Sequence, residues 1–394
     1  MRICFLCNEY PPGPHGGIGS FTQTLARALV GAGHGVRVIG AYPADHPGVS
    51  HEVDDGVEVW RLRDATHRPG KALVRLRLFR TVAAWARSGA LDLIEAPDWE
   101  GGIAGWPRLP VPLVVRANGS ATYFAAELGE PAPTFTALLE RAALRRADFW
   151  CAVSAYTARR TAELFRLAPG ASTVLFNPIT LPAPAVERAP ATAPPAVVFS
   201  GTLTEKKGIV ALVRAWPQVT AVHPDAELHL FGRDGLTRTG ASMRSFLASQ
   251  LGATPENRVH FHGHVTRTEL DLVFQAARVA VFPSRAEAFA LAPMEAMAAG
   301  CPTVFSRRTS GPELVRDEEN GLLINPDDPG AISAAIVRVL GDAALARRLG
   351  AAGRRHVETH FAIAVLRPVN EAYYRDCIAR FAHARAAPNG GSAQ

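Results

Sequence analysis

Ala196-Val-Val-Phe-Ser-Gly-Thr-Leu-Thr-Glu-Lys-Lys-Gly208-Ile-Val-Ala-Leu-Val-Arg-Ala-Trp216 lies at the middle of the 394-residue chain. Its first five residues are apolar almost throughout, as a strand covered on both faces must be. A glycine-bounded loop follows, and then a helical stretch over 207–222. Strand, loop and helix in this order form half of a βαβ unit, and the same rhythm runs outward in both directions. Strands are predicted at 2–7, 35–41, 57–62, 91–95, 111–117, 148–153 and 172–176, and again at 196–201, 226–231, 257–262, 278–282, 302–306 and 321–324. Helices are predicted at 19–32, 72–88, 134–147, 207–222, 241–251, 266–277, 292–299, 329–340, 342–360 and 366–385. The alternation predicts parallel sheets.

The rhythm breaks once. Residues 178–195 hold six prolines among many alanines and read as a linker. The chain therefore divides into a first Rossmann-like domain (1–177), the linker (178–195) and a second Rossmann-like domain (196–365). A helix over 366–385 is expected to return to the first domain, and 386–394 to be a disordered tail. The fold class is α/β, with two doubly wound domains facing each other across a cleft. Ligands then sit beyond the carboxyl ends of the strands.

Composition narrows the function. Hydrophobic residues at 48 % and charged residues at 20 % exclude disorder of the whole chain. No run reaches the roughly 18 apolar residues of a membrane span, and the opening Met-Arg-Ile-Cys-Phe-Leu-Cys is too short for a signal-peptide core. A cytoplasmic protein is expected, with the inner face of the membrane as a second location. Five cysteines, an odd number and widely scattered, argue against a disulfide framework, and Cys4 and Cys7 read as buried strand residues. The net charge of +6 is concentrated in 61–87, which carries eight Arg or Lys against Asp64 alone. No nucleic-acid reader module accompanies it. An anionic small molecule or membrane surface fits better, with residues 71–87 as the contact. His223, His260, His262 and His264 are numerous, but no carboxylate or cysteine beside them in sequence completes a metal-ligand pattern, so no metal is expected.

Three loops carry candidate chemistry. Glu9-Tyr-Pro-Pro-Gly-Pro-His-Gly-Gly-Ile-Gly19 leaves the first strand for a helix, and Gly16 and Gly17 would let an anion approach backbone N–H groups. It lacks the spacing of a P-loop or a dinucleotide fingerprint. Gly201-Thr202 to Lys207-Gly208 repeats the arrangement with a lysine at the helix start. Glu287-Ala-Phe-Ala-Leu-Ala-Pro-Met-Glu295 places two carboxylates eight residues apart. Pro293 suits the first turn of a helix, which puts Glu295 in that turn, and the amides near Ala290 and Leu291 could receive a diphosphate. Asp98 and Trp99, after a first-domain strand, could hydrogen-bond to hydroxyls and stack on a ring; core packing of Trp99 is the competing reading.

The combination resembles the family 4 glycosyltransferases, retaining enzymes of the two-Rossmann GT-B architecture. The resemblance runs over nearly the whole chain and is most specific over Phe282-Pro-Ser…Glu287-x7-Glu295-Ala-Met-Ala-Ala-Gly-Cys-Pro-Thr-Val304, with support from Phe261-His-Gly-His-Val265, Ser310-Gly-Pro-Glu313 and Asn320-Gly-Leu-Leu323. It implies transfer of a sugar from a UDP- or GDP-linked donor to an acceptor hydroxyl, with the nucleotide sugar as cosubstrate and no further cofactor. It implies that Glu295 holds the donor ribose, Glu287 contacts the donor sugar, Lys207 neutralises the leaving diphosphate and the backbone around Val265 reads the base. Gly16 and Gly17 correspond to the first-domain loop that closes on donor or acceptor, and Thr309, Ser310 and Gly311 precede Glu313 beside the donor. Two positions depart from the family pattern. Thr202 stands where an arginine is common, and Asn118 where a histidine is common; asparagine has no proton to exchange near neutrality. Arg116 could replace the missing charge or be a surface arginine. The acceptor is a sugar, a lipid-linked sugar or a small metabolite, with Asp98, Trp99, Arg116 and Asn118 as its contacts. A non-catalytic nucleotide-sugar binder, or another GT-B enzyme such as an epimerase, is the alternative.

Overall fold

A computed structural model describes residues 1–13, 15–46, 48–168, 172–183, 195–251 and 258–386. Most of the linker and of the tail expected above therefore lies outside the described residues. The chain forms two compact units. One holds Met1–Ala126, Glu130–Pro178 and the C-terminal stretch from Ile363; the other holds Glu127–Gly129 and Ile179–Ala362.

The first unit is built on β1 (Arg2–Leu6), β2 (Gly35–Tyr42), β3 (His51–Asp54), β4 (Val57–Arg63), β5 (Leu93–Pro97), β6 (Leu113–Ala117), β7 (Phe149–Ala152) and β8 (Thr173–Val174). Among the described residues these form one sheet in the order β3-β4-β2-β1-β5-β6-β7-β8, and β3 against β4 is its antiparallel pair. The helices are α1 (Gly17–Gly31), α2 (Arg68–Arg87), α3 (Ala121–Leu128), α4 (Thr134–Arg146) and α5 (Ala155–Phe165). Strand alternation splits the core in two. Ile3, Phe5 and Cys7 of β1 and the residue after it join Phe21, Leu25 and Leu29 on one face, whereas Cys4 and Leu6 join Val82, Ile94 and Trp106 on the other. Cys4 and Cys7 thus point to opposite faces. Burial pushes both thiols up to about 12, so they are inert apolar filler.

The second unit runs β9 (Ala196–Ser200), α6 (Ile209–Val222), β10 (Glu227–Phe231), α7 (Met243–Leu251), β11 (Val259–Gly263), α8 (Arg267–Ala276), β12 (Val279–Phe282), α9 (Leu291–Ala298), β13 (Thr303–Ser306), α10 (Gly311–Leu314), β14 (Leu322–Ile324), α11 (Pro329–Gly341) and α12 (Ala343–His360). Its sheet order is β11-β10-β9-β12-β13-β14, with parallel pairing throughout. The order reverses beside β9, so the loops leaving β9 and β12 open at the switch point where such sheets bind ligands. The last helix, α13 (Ile363–Ala386), belongs to the first unit, where Tyr374 and Cys377 enter the core with α1.

Among the described residues no single helix is long and apolar enough to cross a membrane. In α2, Leu78, Val82, Ala83 and Ala86 are buried while Leu73 and Leu76 stay exposed, with Arg77 and Arg80 exposed beside them. Arg75 and Arg61 are committed elsewhere. Arg75 donates to the Gly101 carbonyl at 2.6 Å, and buried Arg61 pairs with Glu52 at 2.7 Å.

Candidate functional site

In the second unit the β9 loop is clamped against the end of β12. One short 3-10 turn, Glu205–Lys207, precedes Gly208, whose φ of 73° is in the left-handed region. A Cβ at Gly208 would fall 1.7 Å from the Pro283 carbonyl oxygen, so only glycine permits the approach. The Arg285 N–H donates to the Lys206 carbonyl at 2.8 Å and fixes the two loops together. The result is an ion pair: Lys207 Nζ lies 2.6 Å from Glu287 Oε1. Glu287 is almost buried and Lys207 is partly exposed, so the ammonium is the partner that can reach a ligand. Contrary to the sequence reading, Lys207 does not open α6. It ends the 3-10 turn, and α6 starts at Ile209. Its neighbour Lys206 is pushed down to about 8, first by burial and then by Lys207, against the opposing pull of Glu287.

Thr309 supports Glu287 from the β13 side. Its hydroxyl accepts from the Glu287 N–H at 3.1 Å. Its φ of 52° is an outlier for a β-branched residue, a strain of the kind found where function over-determines the backbone. Beyond Glu287, Ala290 precedes α9 and Leu291 begins it, with no side chain capping the helix. The backbone N–H groups of Leu291 and Ala292 in that first turn have the chemistry of an anion site. Because α9 begins at Leu291, Glu295 is its fifth residue and lies past the first turn, a correction to the expected position. Arg267, the first residue of α8, pairs with both Glu295 and Asp271. Val265 lies just ahead of the capping box made by Thr266 and Glu269. Arg267 is a site residue that sequence reasoning missed; its signal is the capping box that places it beside Val265. Gly201 donates to the Phe231 carbonyl at 2.9 Å, and Leu203 to that of Arg233 at 3.0 Å. Thr202 between them is exposed, and the β10 loop brings Arg233 alongside it.

The first unit holds the remaining candidates. The N–H groups of Gly16 and Gly19 bond the Glu9 carboxylate, at 3.0 and 2.8 Å. The start of α1, with Gly16 ahead of it and Gly17 as its first residue, is thus served by the protein's own anion. A Cβ at Gly19 would lie 2.0 Å from the Glu9 carbonyl oxygen, which explains that glycine by close packing. Asp98 is buried, and its Oδ1 accepts from the Asn118 N–H at 2.9 Å. Burial raises its carboxyl to about 7, with the nearby charge of Glu140 adding to the rise and hydrogen bonds opposing it. Among the described residues, Asp98 Oδ2 and Asn118 Oδ1 are buried without a hydrogen-bond partner. Glu140, which sequence reasoning missed, accepts from the N–H groups of Glu100, Ala121 and Thr122 and so fixes the loops that carry both groups. Trp99 is exposed, not core, and its ring lies tilted to that of Phe124 with 6.4 Å between ring centres.

Arg116 is neither an acceptor contact nor a surface residue. It is fully buried and bonds both Glu95 oxygens (2.8 and 3.1 Å), the Leu175 carbonyl, Asn370 and Tyr374. Its charge is consumed in tying α13 to the sheet. The histidines also need correction. Glu227 and His229, from the preceding strand, stand beside His260 and supply the carboxylate that the sequence order concealed.

Two α/β units on largely parallel sheets, with a lysine–carboxylate pair at the switch point of the second, give the GT-B architecture. Residues 186–356 match the model described as glycosyl transferases group 1, and residues 16–178 match the glycosyl transferase 4-like domain. The chain is 30 % identical over 387 residues to a glycogen synthase of Mycobacterium tuberculosis, covering 92 % of this chain and 91 % of that one. It belongs to the family 4 glycosyltransferases. Its fold is that of sucrose-phosphate synthase from Thermosynechococcus elongatus (TM-score 0.81, 24 % identity, 96 % of this chain and 99 % of that one). HepE of Anabaena, solved in complex with UDP and glucose, is also similar (TM-score 0.70, 18 % identity, 95 % and 99 % covered).

Proposed function

We propose that the protein is a retaining hexosyltransferase that uses a nucleotide-sugar donor, with a UDP-hexose as the first choice. The observation that carries this reading is the 2.6 Å pair between Lys207 and Glu287 at the sheet's switch point. Lys207 exchanges Glu287 for the departing diphosphate, aided by the uncapped N–H groups at Leu291 and by Arg233, which takes the role of the arginine absent at Thr202. The freed Glu287 carboxylate accepts from a donor-sugar hydroxyl, and Glu295, oriented by Arg267, from the ribose. The bond from the anomeric carbon to the diphosphate oxygen breaks, the acceptor oxygen attacks the same face, and the acceptor proton passes to the leaving phosphate. No protein base and no metal enter this scheme, which suits Asn118. The support from comparison is that a structural relative was solved with UDP and glucose.

Asp98, Asn118 and exposed Trp99 serve the acceptor. Two oxygens without partners among the described residues suit hydroxyl donors, and an exposed ring suits stacking on a sugar. The exposed Leu73, Leu76, Arg77 and Arg80 on α2 support peripheral contact with anionic lipid and, with it, a lipid-linked acceptor. Incubation with UDP-glucose and acceptor sugars, followed by NMR of the product's anomeric proton, tests the core of the reading. An α-linked product from the α-linked donor supports it. Inversion, or UDP-glucose binding without turnover over a broad acceptor panel, refutes it in favour of another class or a binding protein.

A further inference from the structure

The parallel register of β10 and β11 places His229 opposite His260. Leu228 and Leu230 face the core, as Val259 and Phe261 do on β11. Alternation therefore turns Glu227 and His229 of one strand, and His260 and His262 of the other, to the same outer face. Glu227 Oε2 lies 3.5 Å from His229 Nε2 and 3.9 Å from His260 Nε2, and the three ligand atoms all lie within 4.8 Å of one another.

From this geometry we infer that Glu227, His229 and His260 form a binding site for a divalent transition-metal ion of the zinc type. A tetrahedral ion with bonds of about 2.1 Å needs its ligand atoms roughly 3.4 Å apart. The two carboxylate–imidazole separations, 3.5 and 3.9 Å, approach that spacing. Two imidazoles and one carboxylate select zinc, cobalt or nickel over calcium and magnesium, which prefer oxygen donors alone. Three protein ligands leave a position for water, and the partial exposure of all three residues gives an ion access from solvent.

The surroundings fit the same chemistry. The other ring nitrogen of His229, Nδ1, lies 2.9 Å from His262 Nε2. Metal-bound histidines are held in this way through their second nitrogen. His262 is itself fixed by stacking on Phe231, with ring centres 4.3 Å apart and planes 8° from parallel. Arg258 lies 3.4 Å from Glu227 Oε1, which leaves Oε2 turned toward the imidazoles. Its positive charge opposes a cation and sets the affinity below that of a dedicated structural zinc site. An ion here would staple β11, the edge strand of the sheet, to β10. It touches none of the residues assigned to donor chemistry, so its role is to hold the strand that leads to Val265.

The test uses the full chain without an affinity tag, stripped by chelator and titrated with zinc alone in a calorimeter. One equivalent per chain is expected, with a rise in melting temperature because zinc binds the folded state. Cobalt should give the visible absorption of a four- or five-coordinate ion. His229→Ala and His260→Ala should each weaken zinc binding by at least about tenfold, and His262→Phe by roughly tenfold without changing the stoichiometry. Glu227→Gln, a milder substitution, should also weaken binding and keeps the test valid if a histidine variant fails to fold. Zinc binding of equal affinity in these variants, or no stoichiometric binding by the natural chain at tens of micromolar zinc, overturns the inference.

Discussion

Replacing Lys207 with methionine keeps the aliphatic stem and removes the charge that faces Glu287 at 2.6 Å. In the proposed scheme the ammonium does its main service when the diphosphate gains charge, so the loss should fall on turnover. A unit charge about 4 Å from the developing negative charge, at an effective dielectric near 20, is worth about 4 kcal/mol. Part of that attraction already acts on the bound donor. The remainder, about 2–3 kcal/mol, predicts a fall in kcat of roughly 30–150-fold. Steady-state release of UDP, measured across donor concentrations, separates the two contributions. A raised KM with unchanged kcat would refute the role, since it would show that Lys207 binds ground state and transition state alike. A purely structural role makes a different forecast. Lys207→Met removes the cation 2.6 Å from the nearly buried Glu287 carboxylate, so adding Glu287→Gln should restore melting temperature. If Lys207 acts on the leaving group, Lys207→Met keeps its low kcat at temperatures where it is fully folded, whereas a structural role leaves turnover per folded molecule unchanged.

Three further outcomes follow from the geometry. Arg116→Met should destabilise the first unit by about 3–5 kcal/mol in urea unfolding, because Glu95 would lose its buried charge partner, and Glu95→Gln added to it should return part of the loss. Asp98 has a carboxyl raised by burial to about 7, so the folded state keeps its proton longer than the unfolded one; stability present at pH 4 is lost as pH rises toward 7, by on the order of 4 kcal/mol, and Asp98→Asn should flatten that slope in pH-dependent melts. The chain should co-sediment with vesicles containing anionic lipid at low salt and leave them at high salt, and Leu73→Gln, Leu76→Gln, Arg77→Gln and Arg80→Gln together should abolish this; Arg75 is excluded because it holds Gly101, and no sedimentation at low salt would remove the membrane contact.

The parallel strands were legible because burial on both faces writes an uninterrupted apolar run, and most observed strands fall within a residue or two of the expected ones. β3 (His51–Asp54) was not, because both of its faces are at least partly exposed and carry no such run. The helix α3 was missed for another reason. The first N–H groups of α3 are served by Glu140, a residue nineteen positions away from Ala121, so no local cap announces it. Lys207 and Glu287 could be named from their motifs, whereas their contact depends on Gly208 lying against Pro283 across the sheet. Arg116 shows the opposite case: its position at a strand end suggested a ligand contact, and its true partners, Asn370 and Tyr374, lie more than 250 residues on.

The histidine cluster lies between these cases. Read along the chain, His260, His262 and His264 have no carboxylate beside them. Read across the sheet, the same alternation that buries Leu228 and Leu230 must present Glu227 and His229 outward, and burial of Val259 and Phe261 must do the same for His260 and His262. A slip of β11 by one residue would turn His260 and His262 inward and expose Val259 and Phe261, so the hydrophobic pattern fixes the register firmly. The apolar residues that specify the sheet therefore also specify which polar groups meet on its surface. A ligand set assembled from two strands is in that sense encoded by the core residues between its members, and replacing those core residues should disturb metal binding without touching a ligand.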